Sequence, residues 1–89
     1  MRKRTYGAVF EPTRTGYSVY FPDLPGCVTT GADLEDAQRE AADALSLHLH
    51  GMEQDGDLIP NPSDTVLMNR DTAPGSFVVL ITADIPDFL

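Results

Sequence analysis

The sequence predicts a small α+β domain of β-β-β-α-β order, with antiparallel hairpin strands, a C-terminal strand and one main helix packed on the sheet. Three observations carry that expectation. Tyr6 to Phe10 and Tyr17 to Phe21 alternate in period two around the breaker-rich Glu11-Pro12-Thr13-Arg14-Thr15-Gly16, the pattern of two paired strands. From Leu34 to about Met52 apolar residues recur at three- and four-residue steps, the period of a helix. Phe77-Val78-Val79-Leu80-Ile81 is unbroken apolar sequence rich in β-branched residues, as in a strand covered on both faces. At 89 residues the chain makes one domain.

Taken in order, strand one runs from Thr5 to Phe10 and strand two from Gly16 to Phe21, with Tyr17, Val19 and Phe21 on one face. Pro12 would cost a ladder bond in mid-strand, so it is assigned to the connection. Cys27 to Thr30 is a short third strand that Gly31 ends. Asp33 is a good N-cap and Asp36 follows at N3, favourable to the positive helix end. The expected core stripe is Leu34, Ala37, Ala41, Leu45, His48 and Met52. Its alanines let the helix approach a sheet closely. Glu35, Asp36, Arg39, Glu40 and Asp43 occupy the opposite, mostly negative side, and Gly51 and Asp55-Gly56-Asp57 mark the end. Leu58 to Asp64 reads as an extended, tethered loop anchored by Leu58 and Ile59. The strand from Phe77 through Ala83 is expected to be central and, after so long a connection, parallel to strand one with a right-handed crossover.

The most constrained stretch is Phe21-Pro22-Asp23-Leu24-Pro25-Gly26-Cys27-Val28-Thr29-Thr30-Gly31. Pro22 and Pro25 fix their own φ and extend the residues before them, while Gly26 and Gly31 permit positive φ. The backbone must turn twice, with Leu24 aimed at a core and Asp23 at solvent. Such a loop is either a rigid connector or a preorganised edge that a partner recognises.

Charge is the most informative bulk property. Fourteen acidic residues face six basic ones, and three of the six are Arg2, Lys3 and Arg4. A body this acidic repels phosphate backbones and attracts basic proteins. Met1-Arg2-Lys3-Arg4 starts like a signal peptide, but the apolar run after it stops at Glu11. No run reaches the ~18 apolar residues of a membrane span. Cys27 is the only cysteine, which suits a reducing compartment, and a cytoplasmic location is expected.

Catalysis finds little support. A two-metal nuclease needs converging carboxylates, yet strand one offers only Glu11 at its end, Phe77 to Ile81 has none, and Asp23 and Asp33 lie in loops. Cys27 and His48 could be read as a nucleophile and base, but a lone Cys beside a strand reads better as a small buried hydrophobe. His48 is expected to pack and His50 to face water, since two residues apart on a helix they cannot share one metal. No catalytic residue, metal or cofactor is expected.

With these pieces placed, the chain resembles the HicB family of bacterial antitoxins. The similarity covers roughly residues 5–85 and rests on Gly16-Tyr17, the Phe21 to Thr29 run, Gly31, Leu34-Glu35-Asp36-Ala37 and Ile59-Pro60-Asn61-Pro62-Ser63. It implies a partial ribonuclease H-like fold and a protein that neutralises HicA, a small basic ribonuclease toxin that cleaves messenger RNA, by covering its active site. Residues 1–85 are then the toxin-neutralising domain. The expected contacts are Asp36, Glu40 and Asp43 on the negative helix face, with Asp23 and Leu24 of the loop. Pro22, Pro25, Gly26 and Gly31 are expected to hold that loop in shape. A homo-oligomer, dimer or tetramer, is expected. Members of this kind carry a C-terminal DNA-binding motif that nothing after Ile81 resembles. Residues 86–89 are therefore expected to begin a linker to a DNA-binding segment beyond this chain, the intact protein being an autorepressor. The alternative is a stand-alone domain of the same fold that binds a ligand or another protein and has no toxin.

Overall fold

The two alternating runs fold into β1 (Arg2–Pro12) and β2 (Tyr17–Tyr20), an antiparallel hairpin in which Phe10 pairs with Val19 and Pro12 with Tyr17. A computed structural model describes residues 2–85. β3 (Val28–Gly31), α1 (Leu34–Asp55), a short α2 (Thr65–Arg70) and β4 (Phe77–Ile85) complete it. The sheet order is β3-β2-β1-β4, with every neighbouring pair antiparallel. The expected α+β class and element order are found, and α2 is added to them. The expected linker, Pro86 to Leu89, lies outside the described residues.

The core lies between α1 and the sheet face carrying Tyr6, Ala8, Phe10, Val19, Ile81 and Ala83. Phe10, Tyr17 and Phe77 pack ring on ring at one end, with centroids 5.7–6.3 Å apart. Asp33 caps α1, its Oδ1 accepting from the Asp36 amide at 2.8 Å, while Asp36 Oδ2 accepts from the Ala32 amide at 2.9 Å. That reciprocal pair satisfies two amides at the helix start. The helix passes through Gly51 and stops at Gly56, whose φ of 73° is left-handed. Its buried line is Ala37, Ala41, Leu45 and Leu49. Leu49, four residues on from Leu45, takes the place expected for His48, which is half-buried at the flank, and Leu34 stays exposed in the first turn. His50 is half-buried beside Glu53 rather than facing water.

Gly31 is required by space and not by a positive φ. A Cβ there would lie 2.4 Å from the Ala37 amide nitrogen and Cα, because the first turn of α1 rests on the end of β3.

β4 corrects two expectations. It runs antiparallel to β1, from Phe77 beside Phe10 to Ile85 beside Arg2, and it borders β1 alone among the described strands. The reason lies in the connection. α1 ends near the start of β1, where two Arg2 nitrogens donate to Glu53 at 2.7 Å; a short link from there would have begun β4 parallel to β1. Residues 56–76 instead travel the length of the sheet to its other end. The Tyr6 hydroxyl donates to the Pro60 carbonyl, Asp23 holds Ser63, and α2 sets Met68 over Gly7 on the sheet face away from α1. The strand closed on both faces is therefore β1, where Tyr6 through Phe10 are all buried. On β4, Ile81, Ala83 and Ile85 face the core while Leu80 is 61% exposed. In the 57–64 segment Ile59 packs on the core but Leu58 points outward.

The Tyr6 hydrogen bond gives the first test. Tyr6→Phe is expected to cost about 1 kcal/mol in urea unfolding and to raise amide exchange across residues 57–64; unchanged exchange there would show that the segment is held by other means.

Candidate protein-binding surface

The loop singled out in the sequence closes on itself. The Phe21 amide donates to the Cys27 carbonyl at 3.1 Å, the Leu24 amide to the Phe21 carbonyl at 3.0 Å, and the Cys27 amide to the Leu24 carbonyl at 3.0 Å. Gly26, at φ 88°, makes the second turn in a conformation that side chains disfavour. Leu24 is 1% exposed and fills core space, so its part in any contact is to set the loop from beneath. The Asp23 carboxylate is half-buried and accepts from the Ser63 amide at 2.8 Å and from its hydroxyl. Pro22, Pro25 and Gly26 form the loop's outer surface.

This loop and α1 border a series of depressions along one flank. One, of about 660 Å³, is lined by Asp23, Leu24 and Pro25 of the loop, by Leu47 and Asp55 of α1 and by Leu58 of the segment that follows. Leu47 and His48 carry it into a second of about 200 Å³, with Cys27 and Val28. Towards the helix start, a third of about 420 Å³ is lined by Thr30, Gly31, Asp36 and Glu40. Asp36, Glu40, Asp43 and Leu47 follow one another at four-, three- and four-residue steps, one line along the helix. No Lys or Arg lines any of the three.

Of the five expected contact residues, Asp23, Leu24, Asp36 and Glu40 line these depressions, and Asp43 shares the helix line of Asp36 and Glu40. Asp36 caps α1 and pairs with Arg39. Asp43 is exposed and Glu40 half-exposed. Sequence reasoning passed over Leu47, read Asp55 and Asp57 only as a turn, and took Leu58 for an anchor of its segment. Leu47 carried a signal: it is a leucine outside the core line of its own helix. Leu58 carried none, because an extended segment has no period to violate.

Cys27 sits below the flank, 3% exposed, its thiol pointed at the Ala44 carbonyl at 3.7 Å. Burial pushes its pKa up to about 11, so the thiol stays protonated at neutral pH. Among the described residues, no three His, Cys, Asp or Glu side chains gather where they could hold a metal ion, and no helix is long and apolar enough to cross a membrane. The raised pKa sets a pH dependence. The fold favours the neutral thiol, so its contribution is complete below the ordinary value of 9.0 and is lost as pH rises through about 11. Denaturant melts across that window should show stability falling with pH, and Cys27→Ala should remove that part of the slope; a slope identical in both chains would contradict the assignment.

Comparison with known proteins places the chain in a family. The sequence model of the HicB-like antitoxin of bacterial toxin-antitoxin systems matches residues 6–88. A 14.9 kDa protein from the rep-hol intergenic region of Haemophilus phage HP1 is 32% identical over 82 residues, which make up 90% of this chain but 61% of the phage protein. A chain of a toxin-antitoxin complex from Streptococcus pneumoniae superposes with a TM-score of 0.80 at 23% identity, over 93% of this chain and 70% of that one. A chain of a HicA3 and HicB3 toxin-antitoxin complex gives 0.72 at 25% identity, over 94% of this chain and all of that one.

Proposed function

The chain belongs to the HicB-like antitoxin family of bacterial toxin-antitoxin systems, and from that premise we propose that it neutralises a HicA-like, mRNA-cleaving ribonuclease by covering the active site. It acts in the cytoplasm and does so by occlusion, without chemistry of its own. The observation that carries this reading is the α1 flank, which joins exposed apolar side chains to acids and has no lining Lys or Arg. A surface that cuts RNA must attract phosphates and is therefore cationic; a body of net charge −8 opposes it. A HicA3 and HicB3 pair in one complex supports the same partnership.

Within the flank, Glu40 and Asp43 face the toxin directly. Asp23 and Leu24 keep the Pro22 to Gly26 loop in shape, and Asp36 divides its carboxylate between the helix cap and Arg39. Self-association is part of the proposal. Among the described strands β4 borders β1 alone, and its other edge has Leu80 exposed and neither Pro nor Lys to blunt it, so a second copy can pair along the part that Ser46, bonded to the Asp84 carbonyl, leaves open. The chain spans about three fifths of the length of its phage relative.

Mixing the purified chain with a HicA-like ribonuclease should abolish RNA cleavage stoichiometrically. Cleavage that persists under an excess of the chain would reject the antitoxin reading and leave a binding module without a toxin. Glu40→Lys with Asp43→Lys should weaken the complex roughly tenfold or more and flatten its salt dependence; an unchanged affinity would remove these two acids from the contact. Leu80→Lys should shift sedimentation of the chain towards the monomer, and an oligomer indifferent to it does not use β4.

A further inference from the structure

Two features at the far end of α1 work against the stability and solubility of the free chain. Leu47 and Leu58 stand 75% and 94% exposed on the 660 Å³ cleft, which Pro25 also lines. Asp55 closes α1 and Asp57 follows its cap, at the helix end whose carbonyls form the negative pole, and the last turn holds no basic residue. Glu53 in the same turn is answered by Arg2, whose hydrogen bonds hold its carboxyl below the usual range. No ion pair joins Asp55 or Asp57 to another described residue. Exposed leucines and acids at a carbonyl pole each have a cost, and an apolar, cationic partner would offset both.

Resting on the antitoxin reading, we propose that this cleft receives a loop of the ribonuclease in which an apolar side chain is flanked by Lys or Arg. The apolar side chain packs against Leu47 and Leu58 and sheds water there. The cations face Asp55, Asp57 and the helix pole, so groups that would grip an RNA phosphate are engaged by the antitoxin instead. The leucines hold the complex and govern its dissociation; the acids attract the partner and govern its association. This contact lies beyond Glu40 and Asp43 and deepens the flank into an anchor at one end.

The test uses the full 89-residue chain and a catalytically inactivated HicA-like ribonuclease, followed by surface plasmon resonance. Leu47→Ala with Leu58→Ala should raise the dissociation rate roughly 100-fold with an unaltered melting temperature, since both side chains are exposed. Asp55→Asn with Asp57→Asn should slow association several-fold at low salt and leave dissociation nearly unchanged, while raising the free chain's melting temperature by about 1–5 °C. That opposition between binding and stability is what a merely structural role would not produce. Methyl NMR of the unaltered chain serves as a second reading: Leu47 and Leu58 resonances should shift as the ribonuclease is added. If the unaltered chain binds but the leucine pair keeps its affinity and those methyls stay silent, the cleft is not the anchor and the antitoxin reading stands. If the unaltered chain does not bind the ribonuclease at all, both fall.

Discussion

The contact between Gly31 and Ala37 sets the position of everything around it. With no room for a Cβ at the end of β3, the first turn of α1 lies directly on the sheet, and the small side chains of Ala37 and Ala41 keep the next turns close. The Asp33 and Asp36 cap fixes where the helix begins. Because α1 starts beside β3, its polar side overhangs that edge of the sheet. The flank between helix and edge, with its run of depressions, is a consequence of that placement.

The self-closed loop from Phe21 to Cys27 lines the cleft through Asp23, Leu24 and Pro25. Its three internal hydrogen bonds and two prolines leave few conformations to lose on binding. Ser63 and Pro60, gripped by Asp23 and Tyr6, bring the 57–64 segment alongside, and that segment presents Leu58. Acids thus serve opposite purposes at the two ends of one helix: Asp33 and Asp36 stabilise the start, whereas Asp55 burdens the end. The favourable pair belongs to folding, and the unfavourable one points to a partner.

Much of this was legible in the sequence because period and punctuation are local. The hairpin, the N-cap at Asp33, the double turn at Pro22 to Gly26 and the helix followed from short-range chemistry. So did the family resemblance, carried by the Phe21 to Thr29 run. What was hidden depends on where a long connection goes. Residues 56–76 carry the chain to the other end of the sheet, so β4 is antiparallel and at an edge, and its apolar run reflects a core face plus an exposed Leu80. His48 and Leu49 are adjacent on the helix, and only packing against the sheet decides which is buried. The candidate surface was half visible: Asp36, Glu40 and Asp43 were marked by charge, but Leu47 and Leu58 are brought together by the fold alone.

The central claim is that the α1 flank, and not β4 or α2, meets the toxin. Hydrogen exchange on the chain, free and bound to a HicA-like ribonuclease, tests it most directly. The account predicts protection concentrated in residues 23–28, 40–48 and 55–60. Protection confined to α2 and β4, with those three stretches unchanged, would contradict it.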